Sequence, residues 1–162
     1  MSRTEKYPKP GGKPQVAPAP IYEDLSRRDF TINALALSLN KASRGLPLDP
    51  TNGRADLEAR ELRATSNYVL YDDPARILRL MRFQARFGFA VDERTKNQLE
   101  NARQAGMISK IPVGARRREL CAMAEEPNVI ELLELLEDEK LLEGFHPALA
   151  GSKSNTAGLG KL

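Results

Sequence analysis

Cysteine, histidine and tryptophan are almost absent from this 162-residue sequence. Cys121 is the only cysteine, His146 is the only histidine, and tryptophan does not occur. These absences exclude a disulfide within the chain and a zinc site built from cysteine and histidine ligands. No apolar run approaches the roughly 18 residues of a membrane-spanning helix, and the N-terminus lacks the apolar segment of a signal peptide. The sequence therefore predicts a soluble cytoplasmic protein with no membrane partner.

Charge is distributed unevenly along the chain. The formal net charge of +3 and the isoelectric point near 9.1 are too mild to require a polyanionic partner. However, residues 76–118 are strongly basic, whereas residues 125–143 are acidic and contain a single base, Lys140. Hydrophobic residues make up 41% of the chain, enough for the core of one ordinary domain. The pattern indicates two different surfaces around that core.

Residues 72–89 are the most regular segment and predict a helix. Two aspartates and Pro74 begin it, and Gly88 ends it, as expected at helix boundaries. At about 100° per residue, four arginines share roughly a third of the circumference, opposite an apolar face. The arginines are Arg76, Arg79, Arg82 and Arg86, and the apolar residues are Ile77, Leu80, Met81, Ala85 and Phe87. The stripe fits a nucleotide or nucleic-acid surface and, equally, a solvated face paired with acidic residues.

The rest of the chain predicts a mainly helical protein. Residues 23–40 predict a long helix that is apolar on nearly all sides and therefore buried. Further helices are predicted over residues 93–104, 113–124 and 128–139, behind Asp92, Pro112 and Asn128. Short strands are predicted at residues 46–48 and 62–65, and a helical turn at residues 56–60. Residues 3–7 fit the end of a strand. The prolines of residues 9–20 exclude a sheet interior and predict an extended loop, or a segment that needs the rest of a domain to lie against. Residues 151–162 predict a disordered tail.

Four motifs follow one another in the sequence. They are Arg27-Arg28-Asp29-Phe30-Thr31-Ile32-Asn33-Ala34-Leu35-Ala36; Asp49-Pro50 with Gly53, Asp56-Leu57 and Leu62-Arg63; Asp72-Asp73-Pro74-Ala75-Arg76-Ile77-Leu78-Arg79; and Arg116 with Glu119-Leu120. Together they resemble the bacterial tRNA nucleotidyltransferase and poly(A) polymerase family, the class II CCA-adding enzymes. The resemblance implies the rear of a nucleotidyltransferase head, a small α+β remnant in residues 1–66. An all-α neck and body would follow in residues 67–150, before the tail.

The resemblance also implies which residues bind a nucleotide. In the family the first motif lies beside the incoming nucleotide, so Arg27 and Arg28 would contact phosphate, Asp29 would contact ribose, and Asn33 would help to position them. The alternative for the two arginines is simple pairing with Glu23 and Asp24. The third motif selects the base in the family, which assigns that role to Asp73 and Arg76. Asp72 is a possible third selector, although the family usually has glutamate at its position.

The other two motifs are implied to have supporting roles. The second motif resembles the family's flexible element between head and neck, which makes Gly53 and Asp56 hinge or hinge-support residues. The last motif implies that Arg116 and Glu119 brace the neck, although its neighbouring residues depart from the usual pattern. For the RNA backbone, the basic segment offers Arg79, Arg82, Arg86, Arg116, Arg117 and Arg118.

One feature of the family is absent. Its members carry out nucleotidyl transfer with Mg²⁺ held by carboxylates, typically an Asp-x-Asp pair, and the sequence contains no Asp-x-Asp. We therefore expect no catalytic residue and no metal ligand in this chain, and no activity from the chain alone. For the complete enzyme the resemblance implies Mg²⁺ as cofactor, CTP and ATP as substrates, and the 3′ end of tRNA or another RNA as partner. The oligomeric state is left open.

Two other functions remain compatible with the sequence. A non-catalytic RNA-binding or adaptor module would bind tRNA with a steep salt dependence and no dependence on nucleotide. A helical interaction protein would use the apolar face of residues 129–142 against a partner helix and would not bind RNA. A helix-turn-helix DNA-binding protein is less favoured, because no compact three-helix unit with a polar recognition face is evident.

Overall fold

The computed structural model describes residues 2–145 and residue 149. Seven helices are assigned within these residues: α1 (Ile21–Ser26), α2 (Gly53–Ala59), α3 (Val69–Asp72), α4 (Ala75–Phe87), α5 (Glu93–Gln104), α6 (Val113–Ala124) and α7 (Val129–Asp138). The strands are β1 (Arg3–Lys6), β2 (Gln15–Pro18), β3 (Ala36–Leu37), β4 (Pro47–Leu48), β5 (Glu61–Leu62) and β6 (Ala90–Val91). Short 3₁₀ turns lie at Thr31–Asn33, Lys41–Ser43, Met107–Lys110 and Leu142–Gly144. In this part of the chain, no helix has the length and apolar character needed to span a bilayer.

The strands form three separate two-stranded sheets. Strands β1 and β2 pair antiparallel, as do β3 and β4, whereas β5 and β6 pair parallel. The fold class predicted from the sequence, mainly α with a small α+β part, is confirmed. The prediction for residues 9–20 needs correction, because β2 is a strand opposite β1 rather than part of a loop. Its one proline, Pro18, is tolerated because a two-stranded sheet has no interior strand and all four residues of β2 are exposed.

The loop between β1 and β2 packs on distant parts of the chain. Gly11 has φ of 68°, and its N–H donates to the carbonyl oxygen of Asp72 at 3.4 Å. A Cβ atom at Gly11 would overlap the carbonyl oxygen of Lys110. Glycine is required here both by the positive φ and by this close approach.

Helix α4 confirms the prediction for the central segment. The Asp73 carboxylate accepts a hydrogen bond from the Ala75 N–H at 3.2 Å, and Gly88 ends the helix with φ of 60°. Ile77, Leu80 and Met81 are buried. Asp72 lies in the preceding helix α3, because the Asp73-Pro74 step separates the two helices.

The prediction of a long buried helix over residues 23–40 is wrong. Helix α1 ends at Ser26. The Asp29 side chain accepts a hydrogen bond from the N–H of Phe30, and the backbone of Phe30 is extended. The backbone N–H of Thr31 then donates to the Arg63 carbonyl oxygen at 2.9 Å. These contacts with a distant segment replace helical hydrogen bonds, and Leu39 is left 76% exposed rather than buried.

The later helices agree with the predictions. Asp92 caps α5 by accepting from the N–H groups of Thr95 at 3.1 Å and Arg94 at 3.3 Å, and α6 begins directly after Pro112. Asn128 precedes α7, but its amide donates to the Ala85 carbonyl oxygen at 3.1 Å and does not cap the helix. The predicted tail at residues 151–162 lies outside the described residues.

One hydrophobic core joins the two halves of the chain. Phe30 and Leu62 from the first half are fully buried in the same cluster as Leu80 of α4 and Leu132 of α7. The rings of Phe30 and Phe83 meet edge to face, with centroids 5.8 Å apart. The core thereby fixes the segment that follows α1 against the middle of α4.

Candidate functional site

A cavity of about 400 Å³, the basic pocket, lies where β1, the segment after α1 and helix α4 meet. Five arginines and four other polar residues line it: Arg3, Glu5, Asp24, Arg27, Arg28, Asp29, Asn33, Arg76 and Arg79. Five of the six residues that were predicted to bind a nucleotide are therefore brought together in one cavity. The sixth, Asp73, is not in its lining.

Asp29 is a buried carboxylate whose two oxygens are both engaged. Its Oδ1 accepts from the Phe30 N–H at 2.8 Å and from the Asn33 amide at 3.0 Å, and its Oδ2 accepts from Arg79 Nη1 at 2.8 Å. Burial acts to raise the pKa of Asp29, but the hydrogen bond and charge of Arg79, helped by Asn33 and Phe30, hold it below its usual value. Asp29 is thus an ionised acceptor, and the Asn33 amide has found its partner.

Arg27 and Arg28 keep exposed guanidinium groups in the basic pocket. Their side chains are 45% and 47% exposed, and they pair with Glu23 at 3.5 Å and with Asp24 at 3.4 Å. The simple pairing considered from the sequence is therefore present, but at distances too long for strong hydrogen bonds. Such exposed pairs contribute little to stability, so both arginines could exchange these partners for an anion.

A second cavity of about 300 Å³, the Tyr7 pocket, adjoins the basic pocket. Its lining includes Tyr7, Ser66 and Asp72, and it shares Glu5, Arg27 and Arg76 with the basic pocket. Burial and the nearby Asp73 raise the pKa of Tyr7 to about 12, and the Tyr7 hydroxyl donates to Glu5 at 3.1 Å. Burial of the Asp72 carboxyl raises its pKa, although Arg76 and Arg27 oppose this.

Arg76 stands between the two pockets with few partners. The residue is only 8% exposed, and its Nε atom has no hydrogen-bond partner in the described part of the chain. Its nearest contacts are Asp73 Oδ2 at 3.8 Å from Nε, the Arg27 carbonyl oxygen at 3.5 Å from Nη2, and the Tyr7 ring at 6.0 Å from Cζ. A buried guanidinium with an unsatisfied donor is suited to a polar ligand.

The other arginines of α4 bind acidic residues of the chain. Arg79 Nη2 and Arg82 Nε contact opposite oxygens of Glu119, at 2.9 and 3.3 Å. Arg82 Nη1 also reaches Glu126 at 3.0 Å. With Asp29 and Arg86, these residues form a continuous arginine network from the basic pocket to the start of α7: Asp29, Arg79, Glu119, Arg82, Glu126 and Arg86.

Known proteins are similar to this chain in sequence. Residues 1–63 match the family model of the Poly A polymerase head domain. The A-adding tRNA nucleotidyltransferase of Aquifex aeolicus is 38% identical over 148 residues, which cover 89% of this chain and 18% of that protein. The chain belongs to the tRNA nucleotidyltransferase and poly(A) polymerase family. Its membership of this family confirms the resemblance noted from the motifs.

Solved structures of tRNA nucleotidyltransferases have the same fold. A tRNA-processing enzyme with CTP is 35% identical, with a TM-score of 0.79 over 89% of this chain and 39% of that one. A tRNA nucleotidyltransferase complexed with a primer tRNA and an incoming ATP analog is also 35% identical, with a TM-score of 0.80 over 91% and 42%. The chain therefore spans less than half the length of each of these relatives.

The arginines predicted to contact RNA differ in their exposure and in their contacts within the chain. Arg79 and Arg82 are occupied by the arginine network, and Arg116 donates to the carbonyl oxygens of Ile111 and Ser109, at 3.0 and 3.4 Å. These three side chains thus have partners within the chain, and their contact with RNA stays a prediction. Arg117 and Arg118 are exposed. Arg86 is 52% exposed in its side chain, its Nη1 lies 3.5 Å from Glu126, and its Cζ lies 5.6 Å from the centre of the Phe87 ring.

The motif that resembles the family's flexible element is firmly packed in this chain. A Cβ atom at Gly53 would overlap the Thr31 carbonyl oxygen and lie 2.6 Å from the carbonyl carbon. Thr31 Oγ1 donates to Asp56 at 2.7 Å, and Arg63 Nε donates to the same carboxylate at 2.9 Å. Gly53 and Asp56 thus anchor α2 to the turn that follows Asp29. Their predicted role as hinge residues stays a prediction.

The carboxylates beside the pockets do not form a metal site of the family's kind. Within residues 2–145 and 149, no three side chains of histidine, cysteine, aspartate or glutamate are grouped to hold a metal ion. Asp29 is bonded to Arg79, Glu5 lies 3.3 Å from Arg3 Nη2, and Asp24 accepts from the Arg3 N–H at 3.0 Å. Mg²⁺ requires several oxygen ligands in near-octahedral geometry, so these paired carboxylates do not fit it.

Three residues of the site were missed from the sequence. Arg3, Glu5 and Tyr7 alternate along β1 and its end, and they line the two pockets. Alternation with a period of two is the pattern of one face of a strand, so the sequence did contain this signal. The proline-rich segment that follows concealed it, because a two-stranded sheet was not expected there.

Proposed function

We propose that this chain is the nucleotide-selecting part of a template-independent nucleotidyltransferase that adds CMP or AMP to the 3′ end of tRNA or another RNA. The observation that carries the proposal is the basic pocket, which gathers Arg27, Arg28, Asp29, Asn33 and Arg76 from two distant motifs. The relatives support it, because the printed description of one solved structure names CTP and that of another names a primer tRNA and an ATP analog.

The two pockets suit different parts of a nucleotide. In the basic pocket, Arg27 and Arg28 are exposed guanidinium groups suited to the phosphates, and Asp29 is an ionised acceptor suited to a ribose hydroxyl. In the Tyr7 pocket, Arg76 has an unpaired Nε donor for a ring nitrogen or carbonyl, and Asp72 can accept from an exocyclic amine. Asp73 does not line the pocket, but its Oδ2 lies 3.8 Å from Arg76 Nε and is a second possible acceptor. Together these groups can distinguish cytosine and adenine from uracil and guanine.

The proposal also includes contacts with RNA and a division of the chain into two regions. Arg86, Arg117 and Arg118 are the arginines available to RNA phosphates. Residues 1–66 would be the rear of the head domain, a division supported by the head-domain match over residues 1–63. Residues 67–150 would be the neck and body. Mg²⁺ would be held by carboxylates that this chain lacks, so the chain alone is expected to bind nucleotides without incorporating them.

The binding test is an equilibrium titration of the chain with CTP, ATP, UTP and GTP. We expect CTP and ATP to bind more tightly than UTP and GTP. Replacing Arg27 or Arg28 with alanine should weaken the binding of all four nucleotides about tenfold, because each substitution removes a charge-assisted contact to phosphate. Arg54→Ala is the matched control, since Arg54 is also exposed and paired four residues away, at 3.0 Å from Glu58, but lines neither pocket.

A separate variant tests base selection. Asp73→Ala is expected to remove the preference for CTP and ATP while leaving phosphate binding in place. An unchanged preference in this variant would contradict the assignment of Asp73. Binding of tRNA that does not depend on nucleotide, with no nucleotide binding by the unaltered chain, would favour the adaptor function instead.

The catalytic test measures incorporation of labelled CTP and ATP, with Mg²⁺, into tRNA that lacks its 3′ end. We expect no incorporation by this chain. Incorporation above background would mean that carboxylates of the chain hold the metal ions, and the assignment of catalysis to residues outside it would be wrong.

A further inference from the structure

The carboxylate of Asp29 is held by an arginine from another helix. Arg79 of α4 donates from Nη1 to Asp29 Oδ2 at 2.8 Å, and from Nε and Nη2 to Glu119 Oε1 at 3.1 and 2.9 Å. Both carboxylates are almost buried, with side chains 8% exposed. Arg79 is therefore fixed on one side by α6 and fixes Asp29 on the other.

We propose that Arg79 is a positioning residue that makes the site selective for ribonucleotides, by orienting the Asp29 carboxylate toward the ribose. The inference rests on the proposed function, and it concerns a residue whose sequence pattern suggested RNA contact instead. It differs from the base-selecting role of Asp73 and Arg76, because the part of the nucleotide that is recognised is the sugar.

Counting hydrogen bonds at Asp29 supports this role. A carboxylate has about four acceptor positions, two on each oxygen. Oδ1 already accepts from Phe30 and Asn33, whereas Oδ2 accepts only from Arg79. One acceptor position therefore remains, on Oδ2, and Arg79 determines where that position lies. A ribose hydroxyl can fill it, whereas the hydrogen of a deoxyribose cannot.

The geometry requires a guanidinium group. The Arg79 side chain contacts two carboxylates at once, through the planar arrangement of its N–H groups. A lysine at this position keeps the charge, but its single ammonium group cannot reproduce the three contacts. Arg79→Lys should therefore release the Asp29 carboxylate from its orientation without removing Asp29 itself.

The test compares CTP with dCTP in equilibrium titrations of the unaltered chain and of Arg79→Lys. In the unaltered chain we expect CTP to bind more tightly. In the variant we expect the ratio of the dCTP and CTP dissociation constants to fall about tenfold, because a charge-assisted hydrogen bond to the sugar is lost. Affinity for dCTP should change little, since the contacts to phosphate and base remain.

Arg63→Lys is the matched control. Arg63 also donates to several carboxylates, those of Asp56, Asp92 and Glu61, at 2.8–2.9 Å, but it lies in the lining of neither pocket. This variant should be destabilised like Arg79→Lys while keeping the CTP to dCTP ratio. Glu119→Gln is a second test of the same idea, because it weakens the anchor of Arg79 and should lower the ratio in the same direction.

A measurement that needs no ligand separates the inference from the proposed function. The carboxyl pKa of Asp29, followed by carbon-13 NMR, should rise in Arg79→Lys and stay low in Arg63→Lys. An unchanged ratio of dissociation constants, or an unchanged Asp29 pKa, in a folded Arg79→Lys chain would overturn the inference. If the unaltered chain bound neither nucleotide, the proposed function would fail, and the pKa comparison would still decide whether Arg79 controls Asp29.

Discussion

At the scale of single residues, Arg76 combines burial with incomplete pairing. Its Nε atom has no partner in the described residues, and its other contacts are long. A buried charge without close partners lowers stability relative to an apolar residue of similar size. The residue is therefore better explained by what it binds than by the stability of the free chain.

This explanation predicts opposite effects of one substitution on stability and on binding. Arg76→Met should leave the free energy of unfolding unchanged or raise it by about 1 kcal/mol, because it removes an incompletely paired buried charge. It should also abolish preferential binding of CTP and ATP. Urea unfolding and nucleotide titration of the same preparation check both parts.

Arg63→Met provides the contrasting variant, since it would leave three carboxylates without their arginine. It should lower the free energy of unfolding by about 2 kcal/mol or more. A marked loss of stability in Arg76→Met, comparable to that in Arg63→Met, would show that Arg76 is a structural residue.

Asp29 makes stability depend on pH. Its folded-state pKa lies below the unfolded value, mainly because the Arg79 hydrogen bond and charge outweigh the effect of burial. The stabilisation is therefore fully present above the unfolded pKa of about 3.9 and is lost as the pH falls through the folded pKa. Asp29→Asn should lower the free energy of unfolding by about 1–3 kcal/mol at pH 7, and the difference from the unaltered chain should shrink below about pH 4. Urea unfolding at several pH values measures this, and a difference independent of pH would contradict it.

At the scale of elements, helices with local boundary signals were predictable from the sequence. Helices α4, α5 and α6 begin and end close to the predicted residues, because Asp92, Pro112 and Gly88 act on their own neighbours. The predicted helix over residues 23–40 failed for the opposite reason. Its backbone is paired with residues 63–65, and sequence periodicity contains no information on that distant partner.

The same distinction explains how much of the site was predictable. The motifs at residues 27–33 and 72–76 supplied most of the basic pocket, because their resemblance to the family's motifs implies phosphate and base contacts. The contribution of β1 was missed because the proline-rich segment that follows it concealed the alternating pattern. The pairing of Arg79 and Arg82 with Glu119 and Glu126 was also missed, because these acids lie about 40 residues further along the chain.

The attachment of α2 gives a prediction at this scale. Gly53→Ala should lower the free energy of unfolding by about 1–3 kcal/mol, because the added methyl group would displace the backbone of Thr31. Gly114→Ala is the matched control: Gly114 lies in helix α6, and its nearest neighbour would be the flexible end of Arg118 at 3.8 Å. That variant should be neutral or slightly stabilising. Equal losses in both variants would contradict the close contact at Gly53.

At the scale of the whole molecule, the two predicted functional regions share one core. Phe30 and Leu62 belong to the first region and Leu80 and Leu132 to the second, yet all four are buried in a single cluster. The proposed boundary near residue 66 is therefore not a boundary in the packing of the core. The residues proposed to select a nucleotide and those proposed to contact RNA belong to segments that share one hydrophobic core.

This packing predicts a single cooperative unfolding transition. Far-ultraviolet circular dichroism, dominated by the helices of the second region, should have the same urea midpoint as hydrogen exchange at Thr31 and Leu62 in the first. Two separated midpoints would mean that the regions fold independently.

The packing of the loop at Gly11 has a consequence for the order in which parts of the chain can fold during synthesis. Its backbone rests on Asp72 and against Lys110, so this loop finds its final place only after residues much further along have been made. About 100 residues separate Gly11 from Lys110, which at about 5–20 residues per second corresponds to roughly 5–20 s of synthesis. During that interval the loop between β1 and β2 lacks part of the surface on which it packs. The packing of this loop, which follows Glu5 and Tyr7 of the two pockets, is therefore completed well after its own residues have been translated.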